Sequence, residues 1–126
     1  MKKEVLTSDR APKAIGPYSQ AVRMENLIFT SGQLPIDPAT GALIPGDVEA
    51  QTRRVMENLR TLLEDAGSDL SKALKATVYL IDIKDFARFN EVYGEFFPED
   101  PPARSAFQVA ALPLGARVEV ELIACC

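Results

Sequence analysis

The chain has 126 residues, the span of one ordinary domain and too few for two, so residues 1–126 are read as a single unit. Its 47% hydrophobic and 25% charged content is that of a water-soluble globule, and no stretch approaches the roughly 18 uninterrupted apolar residues of a membrane span. A net charge of -4 disfavours long-range attraction of a nucleic-acid polyanion, and the absence of any histidine removes Ser-His-Asp and Cys-His nucleophile systems, imidazole bases and His-ligated zinc.

Any chemistry must therefore run on Arg, Glu, Asp, Tyr, Ser and backbone groups. The first residues, Met1-Lys2-Lys3-Glu4-Val5-Leu6, carry no apolar block of signal-peptide length, so the expected compartment is the cytoplasm. Residues 2–6, 19–24 and 26–31 read as short strands of an antiparallel meander, with Met24-Glu25-Asn26 as a tight reversal. The prolines and glycines from Ser31 to Gly46 forbid a central strand or helix there and predict an irregular loop.

From Asp47 the period changes. Val48, Thr52, Val55, Leu59, Leu62, Leu63 and Ala66 recur at steps of three and four, which predicts a helix with Asp47 as N-cap and Gly67 at its end. Residues 74–82 alternate Leu74, Ala76, Val78 and Leu80 against Lys75, Thr77, Tyr79 and Ile81, the pattern of a strand. A second helix is expected from an Asp85 cap to just before Pro98, with Phe86, Phe89, Tyr93 and Phe96 or Phe97 as core aromatics. Two further strands, 104–110 and 117–125, complete the chain, and the adjacent Cys125 and Cys126 read as reduced thiols without catalytic duty.

Six strands and two helices imply an α+β fold, a sheet with both helices on one face. The last two strands are expected to form a hairpin in which Phe107 and Val109 share the helix side with Val118 and Val120, which groups Arg104, Ala106 and Gln108 with Glu119 and Glu121 on the other face. That face, with Thr77, Tyr79, Ile81 and Ile123, is too apolar to leave wet and too charged for a private core, so burial against other subunits is expected. Arg104 then either pairs with Glu119 or Glu121 across strands, or presents its planar fork to a ligand carboxylate while a glutamate holds water.

Four motifs occur in order: Gly16-Pro17-Tyr18-Ser19-Gln20, Thr30-Ser31-Gly32-Gln33-Leu34-Pro35, Pro102-Ala103-Arg104-Ser105, and Arg117-Val118-Glu119-Val120-Glu121-Leu122-Ile123-Ala124. Together, from about Ala11 to Ala124, they resemble the reactive intermediate deaminase (Rid, YjgF-like) family. The resemblance implies a chorismate-mutase-like α+β protomer with a mixed six-stranded sheet, a homotrimer with clefts between neighbours, and no cofactor or metal. It implies hydrolysis of enamine and imine intermediates such as 2-iminobutanoate and 2-iminopropanoate to 2-oxo acids and ammonia.

Carried over by motif, Arg104 would grip the substrate carboxylate and Glu119 would position or activate water. Tyr18 and Ser31 would line the cleft, and backbone groups of Gly32 and Ala106 would add contacts. Each has a simpler reading: Tyr18 as a structural tyrosine after a Gly-Pro turn, Ser31 as a hydroxyl bonding its own loop. Asn90 also matches, read here as a packing or capping amide. Many family members carry Cys after the Arg-Ser pair where this chain has Ala106, so thiol chemistry is absent at that position. Two other functions stay open: a non-catalytic trimer that binds 2-oxo acids, and an RNA-acting protein, which the acidic, histidine-free composition disfavours.

Overall fold

A computed structural model describes residues 1–126. The sequence folds into β1 (Glu4–Leu6), β2 (Ala21–Met24), β3 (Leu27–Thr30), α1 (Val48–Asp65), β4 (Ala73–Leu80), α2 (Phe86–Glu95), β5 (Ala103–Gln108) and β6 (Val118–Cys125). They form one six-stranded sheet in the order β1-β2-β3-β6-β4-β5, mixed because only β4 and β5 run parallel. Neither helix is long and apolar enough to cross a membrane.

Local chemistry explains the element ends. The β2–β3 reversal places Glu25 at φ 57°, as a two-residue hairpin turn requires. Asp47 accepts a hydrogen bond from the Ala50 amide at 2.9 Å, a cap worth about 1 kcal/mol. At the other end Gly67 takes φ 86°, and Arg23 donates to the otherwise free carbonyl of Ala66 at 2.6 Å. Asp85 does not cap α2 as expected: its carboxylate holds Arg88 at 2.6 Å, and it is Asp82 that caps the preceding turn through the Lys84 amide.

The apolar stripe of α1 (Val48, Val55, Met56, Leu59, Leu62, Leu63) packs with Phe89 and Tyr93 of α2 onto Ala76, Val78 and Leu80 of β4 and Val118, Val120 and Leu122 of β6. Each fully buried Leu, Val or Phe contributes about 1.5–3 kcal/mol. Leu74 lies outside this core, half-exposed, because the register slips between Ala73 and Lys75 and turns Ala73 inward instead. The opposite face is uncovered. It carries Phe29, Lys75, Thr77, Tyr79, Ser105, Phe107, Glu119, Glu121 and Ile123, none of them fully buried.

The last two strands do not form a hairpin. β4 lies between them, and β5 is the edge strand, paired parallel to β4 after a crossover through α2. Arg104, Ala106 and Gln108 sit opposite Ala76, Val78 and Leu80 and so face the helices, whereas Phe107 stands on the open face, its ring edge-on to Tyr79 at 5.3 Å. The hairpin grouping of Arg104 with Glu119 is therefore wrong: the two project from opposite faces of the sheet.

Candidate active site

The Arg104 half begins on the edge strand. Its guanidinium lies over the rings of Tyr93, Phe86 and Phe89 at 4.9, 5.3 and 5.8 Å, and its Nη1 donates to Asn90 Oδ1 at 2.8 Å. Cation–π contact and one amide hold the plane of the fork without neutralising its charge. Arg10, Arg23, Arg53, Arg54 and Arg88 each pair with a carboxylate; Arg104 does not, so neither predicted ion pair to Glu119 or Glu121 exists. The fork borders a hollow of about 450 Å³ between Asn90, Tyr93, Phe97 and Pro102. The Tyr93 hydroxyl is buried beside it without a hydrogen-bond partner, and burial raises its pKa against the pull of Arg104.

β5 offers backbone groups as well. Val109 N–H donates to Leu80 O, which makes the odd-numbered residues of this stretch the ones bonded to β4. The N–H and C=O groups of Arg104 and Ala106 thus point off the free edge of the sheet, available to a partner.

Tyr18, Ser31, Gly32 and Glu119 meet on the other side, in a cleft of about 500 Å³ that also involves Lys13, Ile15, Leu34, Ile36 and Leu114. Three buried amides assemble it. Gln20 accepts from Ser8 N–H and donates to Pro12 O at 2.7 Å, anchoring the segment that leads to Tyr18. Asn58 of α1 donates to Ile36 O at 2.9 Å and Leu34 O at 3.3 Å, and Gln51 ties Ile44 to Arg117. The 31–46 segment, irregular as expected, is thereby pinned to the body. Reciprocal backbone bonds between Gln33 and Val120, at 2.8 and 3.2 Å, then lay Gly32 beside Glu119.

The fit at Gly32 is close. A Cβ there would stand 2.9 Å from Cδ and 3.1 Å from Cγ of Glu119 and would overlap Oε2 outright. The Glu119 carboxyl makes no hydrogen bond within the chain; burial, then the nearby charge of Glu121, raises its pKa above the usual carboxylate value. Ser31 Oγ donates to Ser19 O at 2.6 Å, which agrees with its structural reading and leaves the oxygen free to accept. Tyr18 is half-exposed, and its hydroxyl accepts from the Ile15 amide at 3.2 Å. No three His, Cys, Asp or Glu side chains gather as a metal-binding group.

The predicted residues thus fall into two clusters: Tyr18, Ser31, Gly32 and Glu119 in one, Arg104 and Ala106 in the other. Asn90 and Tyr93, expected only as a packing or capping amide and a core aromatic, both lie beside the Arg104 fork on the α2 stripe marked by Phe86 and Phe89, where a polar side chain needs a partner. The sequence did not foretell Lys13, Ile15, Leu34, Ile36 and Leu114, because cleft walls come from loops with no periodicity.

Residues 8–126 match the family described as Endoribonuclease L-PSP. The chain belongs to this family, the Rid or YjgF-like proteins. Among Rid relatives, a bovine protein named 2-iminobutanoate/2-iminopropanoate deaminase is 48% identical over 122 residues, 97% of this chain and 89% of its own. The crystal structure of RidA from an Antarctic Psychrobacter superposes with a TM-score of 0.94 at 45% identity, covering 98% of this chain and 99% of that one. Escherichia coli TdcF, crystallised with bound serine, superposes at 0.93 with 43% identity and 98% coverage of both chains. The mixed sheet with two helices on one face is thus the Rid fold.

Proposed function

We propose that the protein hydrolyses imines of 2-oxo acids, with 2-iminopropanoate and 2-iminobutanoate as substrates, in clefts between the protomers of a homotrimer. The observation that carries the reading is Arg104: a half-buried fork, braced by Asn90 and an aromatic platform, with no carboxylate of its own chain to satisfy it. Such a group is complementary to a small carboxylate. The bovine relative's name supplies the reaction class.

In this reading the β5 edge of one protomer abuts the Glu119 cleft of the next, and the uncovered sheet face supplies the interface. Arg104 and the Ala106 backbone orient the substrate; Tyr18, Ser31 and Gly32 line its far side. Glu119, protonated, gives its proton to the imine nitrogen and takes one from the attacking water, yielding the carbinolamine. A second cycle protonates the amine and removes the hydroxyl proton as the C–N bond breaks, releasing ammonia and the 2-oxo acid. The carboxyl ends each cycle as it began, and no covalent intermediate or cofactor is needed. Orientation with one acid/base group supplies about 10²- to 10⁴-fold.

The test couples a pyridoxal-dependent threonine dehydratase to detection of 2-oxo acid. The protein should accelerate release, Arg104→Ala and Glu119→Ala should each lose the effect, and trimers assembled from an equal mixture of the two variants should recover about a quarter of it, one cleft in four being intact. Unchanged release with the unsubstituted protein refutes the enzyme and leaves a 2-oxo acid binder; no recovery in mixed trimers refutes the shared cleft.

A further inference from the structure

Beside the Glu119 cleft stands a second carboxyl that the reaction above does not use. Glu121 is two residues along β6, on the same face, and its Oε1 accepts a hydrogen bond from the Tyr79 hydroxyl at 3.0 Å. Tyr79 is itself the cross-strand neighbour of Glu119, so one phenol of β4 stands beside the first carboxyl and holds the second. The ring is braced by Phe107, edge-on at 5.3 Å.

We propose that Tyr79 and Glu121 are a positioning pair that assigns the cleft's transferable proton to Glu119. The inference rests on the deaminase reading of Glu119 as proton carrier. A neighbouring negative charge disfavours ionisation of a carboxyl, the more so where that carboxyl is buried. Here the surroundings are unequal. Glu121 has a donor in Tyr79, which fixes where its carboxyl stands. Glu119 has no donor within the chain, is half-buried against Gly32, and faces the Glu121 charge. The other ionisable groups around the cleft are Lys13 and Tyr18 on the loop opposite and, in the proposed trimer, Arg104 of the neighbouring protomer, whose charge the substrate carboxylate takes up; Lys75, farther along β4, is turned to Ser105 Oγ at 3.4 Å. The proton thus stays on the carboxyl that faces the cleft, where it can reach nitrogen.

The experiment follows the Glu119 carboxyl by carbon NMR in substrate-free protein labelled at glutamate, its resonance assigned by loss in Glu119→Gln, alongside the pH profile of kcat/KM. In Glu121→Gln the titration midpoint of Glu119 should move to lower pH, and the alkaline limb of the profile should move with it, a loss of about three- to tenfold on that limb against little change at the acid end. Tyr79→Phe, a milder change that removes only the hydroxyl, should move both in the same direction by less. An unmoved Glu119 midpoint in Glu121→Gln, or a uniform fall in kcat at every pH, overturns the proposal. Should the unsubstituted protein accelerate no imine hydrolysis while the midpoint still shifts, the proton assignment stands and only the substrate reading fails.

Discussion

Replacing Gly32 with alanine should silence the cleft while barely disturbing the fold. The backbone at Gly32 does not take a positive φ, so alanine is conformationally admissible there. The obstacle is Glu119: the new methyl carbon would sit 2.9 Å from its Cδ and overlap Oε2, where non-bonded atoms settle at about 3.5 Å, so the carboxyl must swing away by more than about 1 Å. Because the atoms displaced end a flexible side chain, the stability cost should stay below about 1 kcal/mol. A displacement of that size in a proton-transferring group costs about 10²-fold in rate. The dehydratase-coupled assay gives kcat/KM, and thermal unfolding gives the stability. If kcat/KM stays within about threefold of the parent in a normally folded variant, the seating of Glu119 against Gly32 is irrelevant to the chemistry.

Two further outcomes follow from the same geometry. Asn90→Ala removes the only hydrogen bond to the Arg104 fork and should raise KM by about tenfold with a smaller change in kcat, since orientation of the carboxylate is lost while Glu119 is untouched. For Glu119→Gln the prediction concerns stability. The native chain holds the Glu119 proton above the ordinary value of 4.5, so it binds that proton more tightly than the unfolded chain does. That contribution is complete below the unfolded value and is lost as pH rises through the native one. Urea unfolding should therefore show the Gln variant gaining on the parent as pH rises above the ordinary value of 4.5, and a difference that stays constant with pH would contradict the burial of this carboxyl.

The parts legible in advance were those with long, regular patterns. The stripe of α1, its Asp47 cap and its Gly67 end follow from residues close in sequence, and the structure has all three. The expected face of Arg104 is wrong because the expectation pairs sequential strands and points Phe107, a large apolar residue, inward. A signal against this was present: β4, α2 and β5 in succession make a strand–helix–strand unit, whose crossover brings parallel strands together. Pairing β5 with β4 puts Arg104 opposite Ala76 and beneath α2, and Phe107 on the open side. Leu74 was misassigned for a smaller reason, a bulge that strict alternation cannot register. The motifs named the site residues, but which of them share one protomer's cleft depends on strand order, which no motif encodes.

The separation of Arg104 from Glu119 by the thickness of one sheet also bears on heredity. In the trimer proposed above each chain would lend its guanidinium to one neighbour and its carboxyl to the other, so a copy defective in both would silence the two clefts it borders and leave a single working one. A faulty allele expressed beside a sound one would thus do more harm than its dose suggests, whereas two alleles damaged on opposite sides of the sheet could partly rescue each other.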